Sequence, residues 1–208
     1  MDPTLWLTFV AASAALLAIP GPTILLVLSY ALAQGRRVAV ASAAGVALGD
    51  LIAMTASLAG LGALVLASAT LFTVLKWLGA AYLVWMGIKL WRSAGTARLG
   101  DVTTGTVTPR AVFGHAALVT ALNPKSIVFF IAFVPQFLRP AEPLIPQFAI
   151  LIATFVTLAT LNALLYALLA DRMRAGLRRP AVLRALTRAG GGALIAMGAV
   201  TALTRRAA

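Results

Sequence analysis

The chain has 208 residues, 62% of them hydrophobic and 11% charged, with a formal net charge of +12. Soluble domains carry roughly 25% charged residues, and charges this few and this clustered cannot cover a polar surface, so the chain belongs in lipid. The lack of cysteine removes disulfides, thiolate zinc sites and cysteine nucleophiles. One histidine and five carboxylates leave little for a membrane enzyme, and no catalytic residue, metal or cofactor is assigned.

Residues 1–6, MDPTLW, lack the basic segment and cleavage site of a signal peptide, so the first apolar run is read as retained. Apolar runs of about 20 residues predict membrane-spanning helices, and six follow in order. Span one, Leu5–Ala33, carries Pro20, Gly21, Pro22 and Thr23 well inside the bilayer. Each proline removes a ladder donor and clashes with the preceding turn, so this span should break there. The carbonyls so freed must face protein, water or a bound molecule, because hydrocarbon cannot satisfy them.

Span two, Val38–Ala67, places Ala41, Gly45 and Gly49 on one ridge suited to close helix packing, with Asp50 at its end and hence facing the bundle. Span three is Thr70–Leu90. Span four, Phe113–Leu138, contains Leu122, Asn123, Pro124, Lys125 and Ser126. Asn123 can cap the helix that restarts after the break, and a helix start suits an anion. Lys125 lies about 12 residues, or ~18 Å, into its span, and an ionisable residue at that depth is a functional candidate by default. Its structural alternative is a lysine paired with a carboxylate or with the freed carbonyls. His115, near the start of the span, reads as an interfacial residue.

Span five, Leu144–Ala170, brings Asn162 and Tyr166 to one face. Its threonines should bond back to the preceding turn, and Asn162 suits an interhelical bond or a substrate contact equally. Span six, Ala189–Leu203, is the shortest.

Orientation follows from Lys and Arg between the spans. Twelve lie on one side: Arg36, Arg37, Lys89, Arg92, Arg98, Arg110, Arg172, Arg174, Arg178, Arg179, Arg184 and Arg188. Four lie on the other: Lys76, Arg139, Arg205 and Arg206. This pattern is topological and argues against nucleic acid as a partner; it puts the basic loops in the cytoplasm and both termini outside. The segment from Arg172 to Arg188 is read as a solvated connector, its alternative being a short surface helix on anionic headgroups.

The halves repeat weakly. Gly21-Pro22-Thr23 corresponds to Asn123-Pro124-Lys125 at an offset of 102. Leu75, Gly79, Leu83, Met86 and Gly87 correspond to Leu186, Gly190, Leu194, Met197 and Gly198 at an offset of 111. Three spans per half is odd, so the second half would enter the membrane inverted, a recurring plan of secondary transporters with the site where the repeats meet. The expected fold is an all-α membrane protein, one domain over 1–208, with six transmembrane helices in two inverted three-helix repeats and helices one and four broken. Repeat one covers about 5–91, a cytoplasmic loop about 92–112 and repeat two about 113–204.

Asp50 and Lys125 then lie at similar depth, one in each half. Either they pair, or they hold the opposite ends of a zwitterion, or they do each in turn. Asp50 also offers a titratable group for proton coupling.

These features together resemble the LysE/RhtB family of bacterial amino-acid exporters. The motifs that carry the resemblance are PGP at 20–22, LGD at 48–50, KWLGAAYL at 76–83 and LNPKS at 122–126, over nearly the whole chain and with Ala41 where glycine is frequent. The resemblance implies six helices, residence in the bacterial inner membrane and proton-driven efflux of an amino acid or close analogue. Candidate site residues are Asp50, Lys125, Asn123, Pro124, Pro20, Gly21, Pro22, Thr23, Ser126 and Asn162. The expected partners are an amino acid, protons and the lipid bilayer. The glycine faces of spans two, three and six can pack within one protomer or build a homodimer. The competing readings are an exporter of a cation or another small metabolite, and a membrane scaffold subunit that transports nothing.

Overall fold

Asp2 starts the first helix: its Oδ1 accepts the N–H groups of Thr4 at 2.8 Å and Leu5 at 3.1 Å, an N-cap followed by proline. The structure, a computed structural model, describes residues 1–18, 21–34, 36–67, 69–95, 107–139, 141–177 and 180–203. Their regular structure is entirely helical. Helix α1 runs Pro3–Ala18, α2 Pro22–Gln34, α3 Arg36–Ala67 and α4 Ala69–Arg92, which ends in a 3₁₀ turn, Ser93–Gly95. Thr108 caps α5, Pro109–Ala121. Helix α6 begins as Pro124–Val128, passes through a π segment at Phe129–Phe133 and closes as 3₁₀ at Val134–Phe137. Helices α7, Leu144–Leu177, and α8, Pro180–Leu203, complete the chain.

Among the described residues, Arg37–Gly60, Leu144–Ala170 and Arg184–Leu203 are long and apolar enough to cross a membrane. Two bent pairs suffice together: α1 with Thr23–Gln34, inclined by 53°, and α5 with Pro124–Phe137, inclined by 41°. Helix α4, the expected third span, is not among these five, although its 24 residues give it about 36 Å at 1.5 Å per residue. The outer surface carries exposed Trp77, Leu78, Trp85, Leu161 and Ile145, as a lipid-facing surface does.

Small residues set the helix pairs. A Cβ on Gly49 would stand 2.6 Å from both the Ala117 carbonyl and Thr120 Cβ, while Gly45 lies against Phe113 and Ala116. Numbers therefore rise together, and α3 and α5 run parallel in close contact, as the ridge predicts. Helices α4 and α8 run antiparallel: Gly87 meets Gly191 and Ile195, while Gly198 meets Ala80 and Val84. Both seams lie within one protomer. The core divides into a phenylalanine-rich cluster (Phe9, Phe129, Phe130, Phe133, Phe137, Phe155), a second cluster of smaller residues around Val27, Ala43 and Ala163, and a small third one of Tyr30, Val38 and Val112.

One expectation is corrected. The segment from Arg172 to Arg188 is helical at its described residues, not a loop connector. Helix α7 continues to Leu177 and α8 begins at Pro180, not Ala189, leaving between them only residues 178 and 179, which are outside the described residues. Arg, Met, Ala and Leu are good helix formers, and Pro180 sits where proline is tolerated, at a helix start.

Candidate functional site

At the second break the chain closes on itself. Leu122 N–H donates to Leu118 O at 3.0 Å and Asn123 N–H to Thr120 O at 3.1 Å. Asn123 is extended (φ −69°, ψ 110°) and its Oδ1 accepts the Lys125 N–H at 3.0 Å, an N-cap with Pro124 at the first helical position. The N–H that the restarted helix would offer at Lys125 is thus already used. Asn123 Nδ2 donates to Thr23 Oγ1 at 3.1 Å, which joins the second break to the first.

The first break is closed from elsewhere. The end of a helix leaves its last four carbonyls without partners, and three consecutive ones on α1 receive side-chain donors. Lys125 Nζ donates to Leu16 O at 3.3 Å, Asn162 Nδ2 to Leu17 O at 3.0 Å and Tyr166 OH to Ala18 O at 2.9 Å. The ammonium also meets the negative end of the α1 dipole. Gly21 is what admits it: a Cβ there would lie 3.2 Å from Lys125 Nζ.

Asp50 reaches the same place by packing. Gly49 sits on Ala117 and Thr120, one turn before the second break, so the next residue is delivered to that break and is only 3% exposed. Arg139 bridges Asp2 and Glu142, whereas Asp50 and Lys125 form no ion pair within 4 Å. Both line a cavity of about 30 Å³ with Gly21, Thr23, Asn123, Ser126 and Asn162, backed by Leu16, Leu17, Ile24, Val46 and Ala159. That space holds about two waters, so an organic molecule would have to widen it.

Seven of the ten candidate residues therefore meet at one cavity. Pro124 is exposed at the helix start and does not line it. Pro22 opens α2, and Pro20 lies outside the described residues. Asn162 makes an interhelical bond and still lines the cavity, so its two readings combine. Thr160 bonds back to Val156 O at 2.6 Å as expected, whereas Thr154 accepts the Trp6 indole N–H at 3.0 Å. His115 stays away from the cavity, 2.8 Å from Tyr30 OH through Nδ1. The freed carbonyls of α1 do face protein, and Lys125 rests on one of them as its structural alternative has it; the capping role of Tyr166 is new, its only sequence signal being that it shares a face with Asn162.

Broken spans that meet at buried charges facing a common cavity define a helical membrane protein of the transporter class. The chain belongs to the LysE type translocator family, whose model matches residues 6–205, and is a transporter, not an enzyme. It is 37% identical over 202 residues to a homoserine/homoserine lactone efflux protein of Salmonella typhimurium, covering 97% of this chain and 98% of the relative. It is 32% identical over 205 residues to an uncharacterized membrane protein of Vibrio cholerae, covering 99% and 100%. A leucine efflux protein of Klebsiella pneumoniae is 32% identical over 133 residues, 64% of this chain and 63% of the relative. No solved structure is significantly similar to the chain.

Proposed function

We propose that the protein is a proton-coupled exporter of an amino acid or close analogue across the bacterial inner membrane, with both termini outside. The observation that carries this reading is the pair of buried, unpaired opposite charges, Asp50 and Lys125, on one cavity at the two helix breaks. A zwitterion complements both. Its carboxylate takes the Lys125 ammonium from Leu16 O, and its amino group meets Asp50. When no substrate is bound, Asp50 is the group that exchanges the proton. The relatives named for homoserine and leucine efflux support the substrate class.

The packing supports an inverted repeat. Under the offset of 111, the contacts of Gly87 with Gly191 and Ile195 become those of Gly198 with Ala80 and Val84, the two sets seen across α4 and α8. Parallel α3 and α5 with antiparallel α4 and α8 are also the directions that six alternating crossings require. Such an arrangement would put the site at the repeat interface near the midplane.

The test is uptake into inverted membrane vesicles across a panel of amino acids, for wild type, Lys125→Ala and Asp50→Asn, each checked for membrane insertion. One or a few amino acids should accumulate in wild type in a gradient-dependent way, and both variants should lose this. If wild type moves no amino acid, the substrate class is wrong. If Asp50→Asn keeps gradient-driven uptake, Asp50 does not carry the proton.

A further inference from the structure

The outer end of the same two elements carries a second clamp that the substrate site does not use. Arg139, just beyond α6, bonds Asp2 Oδ2 through Nη2 at 3.1 Å and Glu142 Oε1 through Nη1 at 3.2 Å. Helix α1 is therefore held by α6 at both ends, by Arg139 at its start and by Lys125 near its last turn. Between the clamps runs a ladder of rings. Phe9 meets Phe137 edge-on at 5.3 Å, Phe137 meets Phe133 at 5.3 Å, Phe133 stacks on Phe129 at 5.1 Å, and Phe129 meets Phe155 at 5.8 Å. All five rings are buried. Phe155 lies one turn from Ala159, which lines the cavity, so the ladder leads from the charged site to the end of the molecule that holds Asp2.

The two sides of the outer clamp are mounted differently. Arg139 sits on a turn fastened by the buried Gln147, whose Oε1 accepts the Arg139 N–H at 2.9 Å. Gln147 Nε2 donates to the carbonyls of Arg139 (3.0 Å), Pro143 (3.1 Å) and Glu142 (3.3 Å). Asp2 instead belongs to α1, which it caps with its other oxygen. The N–H groups of Leu5 and Thr4, with Arg139 behind them, hold its carboxyl below the ordinary range, so it stays charged. When Asp2 leaves, Arg139 keeps Glu142. Exposed ion pairs are weak, and this one can open and reclose without orphaning its cation.

We propose that the Asp2–Arg139 bridge is the latch of an outer gate, in which α1 lifts from α6 as a unit, parts Phe9 from Phe137 at the outer end of the ladder and opens the cavity toward the side of the N-terminus. This rests on the transport reading above. A substrate carboxylate that captures the Lys125 ammonium removes the inner clamp of α6 from Leu16, so binding leaves the latch as the remaining polar tie between α1 and the α6 side, while Trp6, Asn162 and Tyr166 still tie α1 to α7. Site occupancy and gate opening thereby act on one helix.

The chain has no cysteine, so a cysteine at Ala159 is a sole thiol on the cavity wall. Its modification by a membrane-impermeant methanethiosulfonate reagent, applied to intact cells, reads the gate without any substrate. The backgrounds are wild type, Asp2→Asn, Arg139→Gln and the double variant. Asparagine keeps the N-cap while dropping the charge, and both positions are solvent-exposed, so folding is spared. Each single variant should speed modification by about 1.4- to 5-fold, the range that loss of an exposed ion pair converts to. The double variant should be no faster than the faster single one, because the two residues act as one pair. Unchanged rates, multiplicative effects in the double variant, or acceleration only in inverted vesicles would each overturn the latch. Because no amino acid is involved, failure here is distinct from failure of the substrate assignment.

Discussion

At the break between α5 and α6 the chain satisfies its own backbone within a few residues. Leu122, Asn123 and Lys125 bond to Leu118, Thr120 and Asn123. At the break between α1 and α2, three carbonyls depend on Lys125, Asn162 and Tyr166, which are 109, 145 and 148 residues away. The first break therefore exists as it does only while α6 and α7 are packed beside it. The locally capped break is suited to a fixed platform. The remotely capped one is suited to the part that moves, since its donors sit on other helices and the proposed substrate carboxylate can draw one of them, Lys125, away.

The largest effect on that contrast is expected from Asn162→Leu, which leaves the part-buried Leu17 O without its donor. An unsatisfied buried acceptor costs about 1–3 kcal/mol, and the loss should appear as a lower unfolding temperature of detergent-purified protein with weakened transport. Asn123→Ala should cost less at the break itself, about 1 kcal/mol for a lost N-cap, because the backbone bonds of Leu122 and Asn123 remain, although the bond to Thr23 goes with it. Asn123→Asp sharpens the point. It keeps the cap but loses the Nδ2 donor to Thr23, so a defect confined to transport would belong to the bridge between breaks. Were Asn123→Ala to destabilise more than Asn162→Leu, the contrast would be wrong. The smallest stability effect is expected from Gly21→Ala, since the added methyl, 3.2 Å from Lys125 Nζ, needs only a shift of a few tenths of an ångström at the flexible end of that side chain, which keeps its bond to Leu16 O. That shift still crowds the ammonium from the cavity side, so KM for the exported substrate should rise with little change in the unfolding temperature.

Much of this was legible in the residues. Pro124 after Asn123 announced both a break and its cap, because proline geometry and capping act within one turn. Gly45 and Gly49 announced a close contact and turned Asp50 inward, and α3 does lie on α5. Asp2 before Pro3 is also a readable helix start, but its use as the partner of Arg139 is not, since Asp2 and Arg139 are 137 residues apart. The π segment at Phe129–Phe133 has no proline or glycine to mark it. The basic stretch after Ala170 was read by its charge, although its residues favour helix as well as solvent.

The sequence by itself determined the membrane, the positions of the apolar runs, the local cap at Asn123 and the two deep charges. Hydropathy, proline sterics and capping are properties of neighbours along the chain. Only the tertiary structure decided that the charges share a cavity without pairing, that Lys125 rests on Leu16, and that α7 supplies the other two donors to α1. Those outcomes depend on which helix faces approach, and approach is set by small-residue seams and ring packing between segments far apart in sequence.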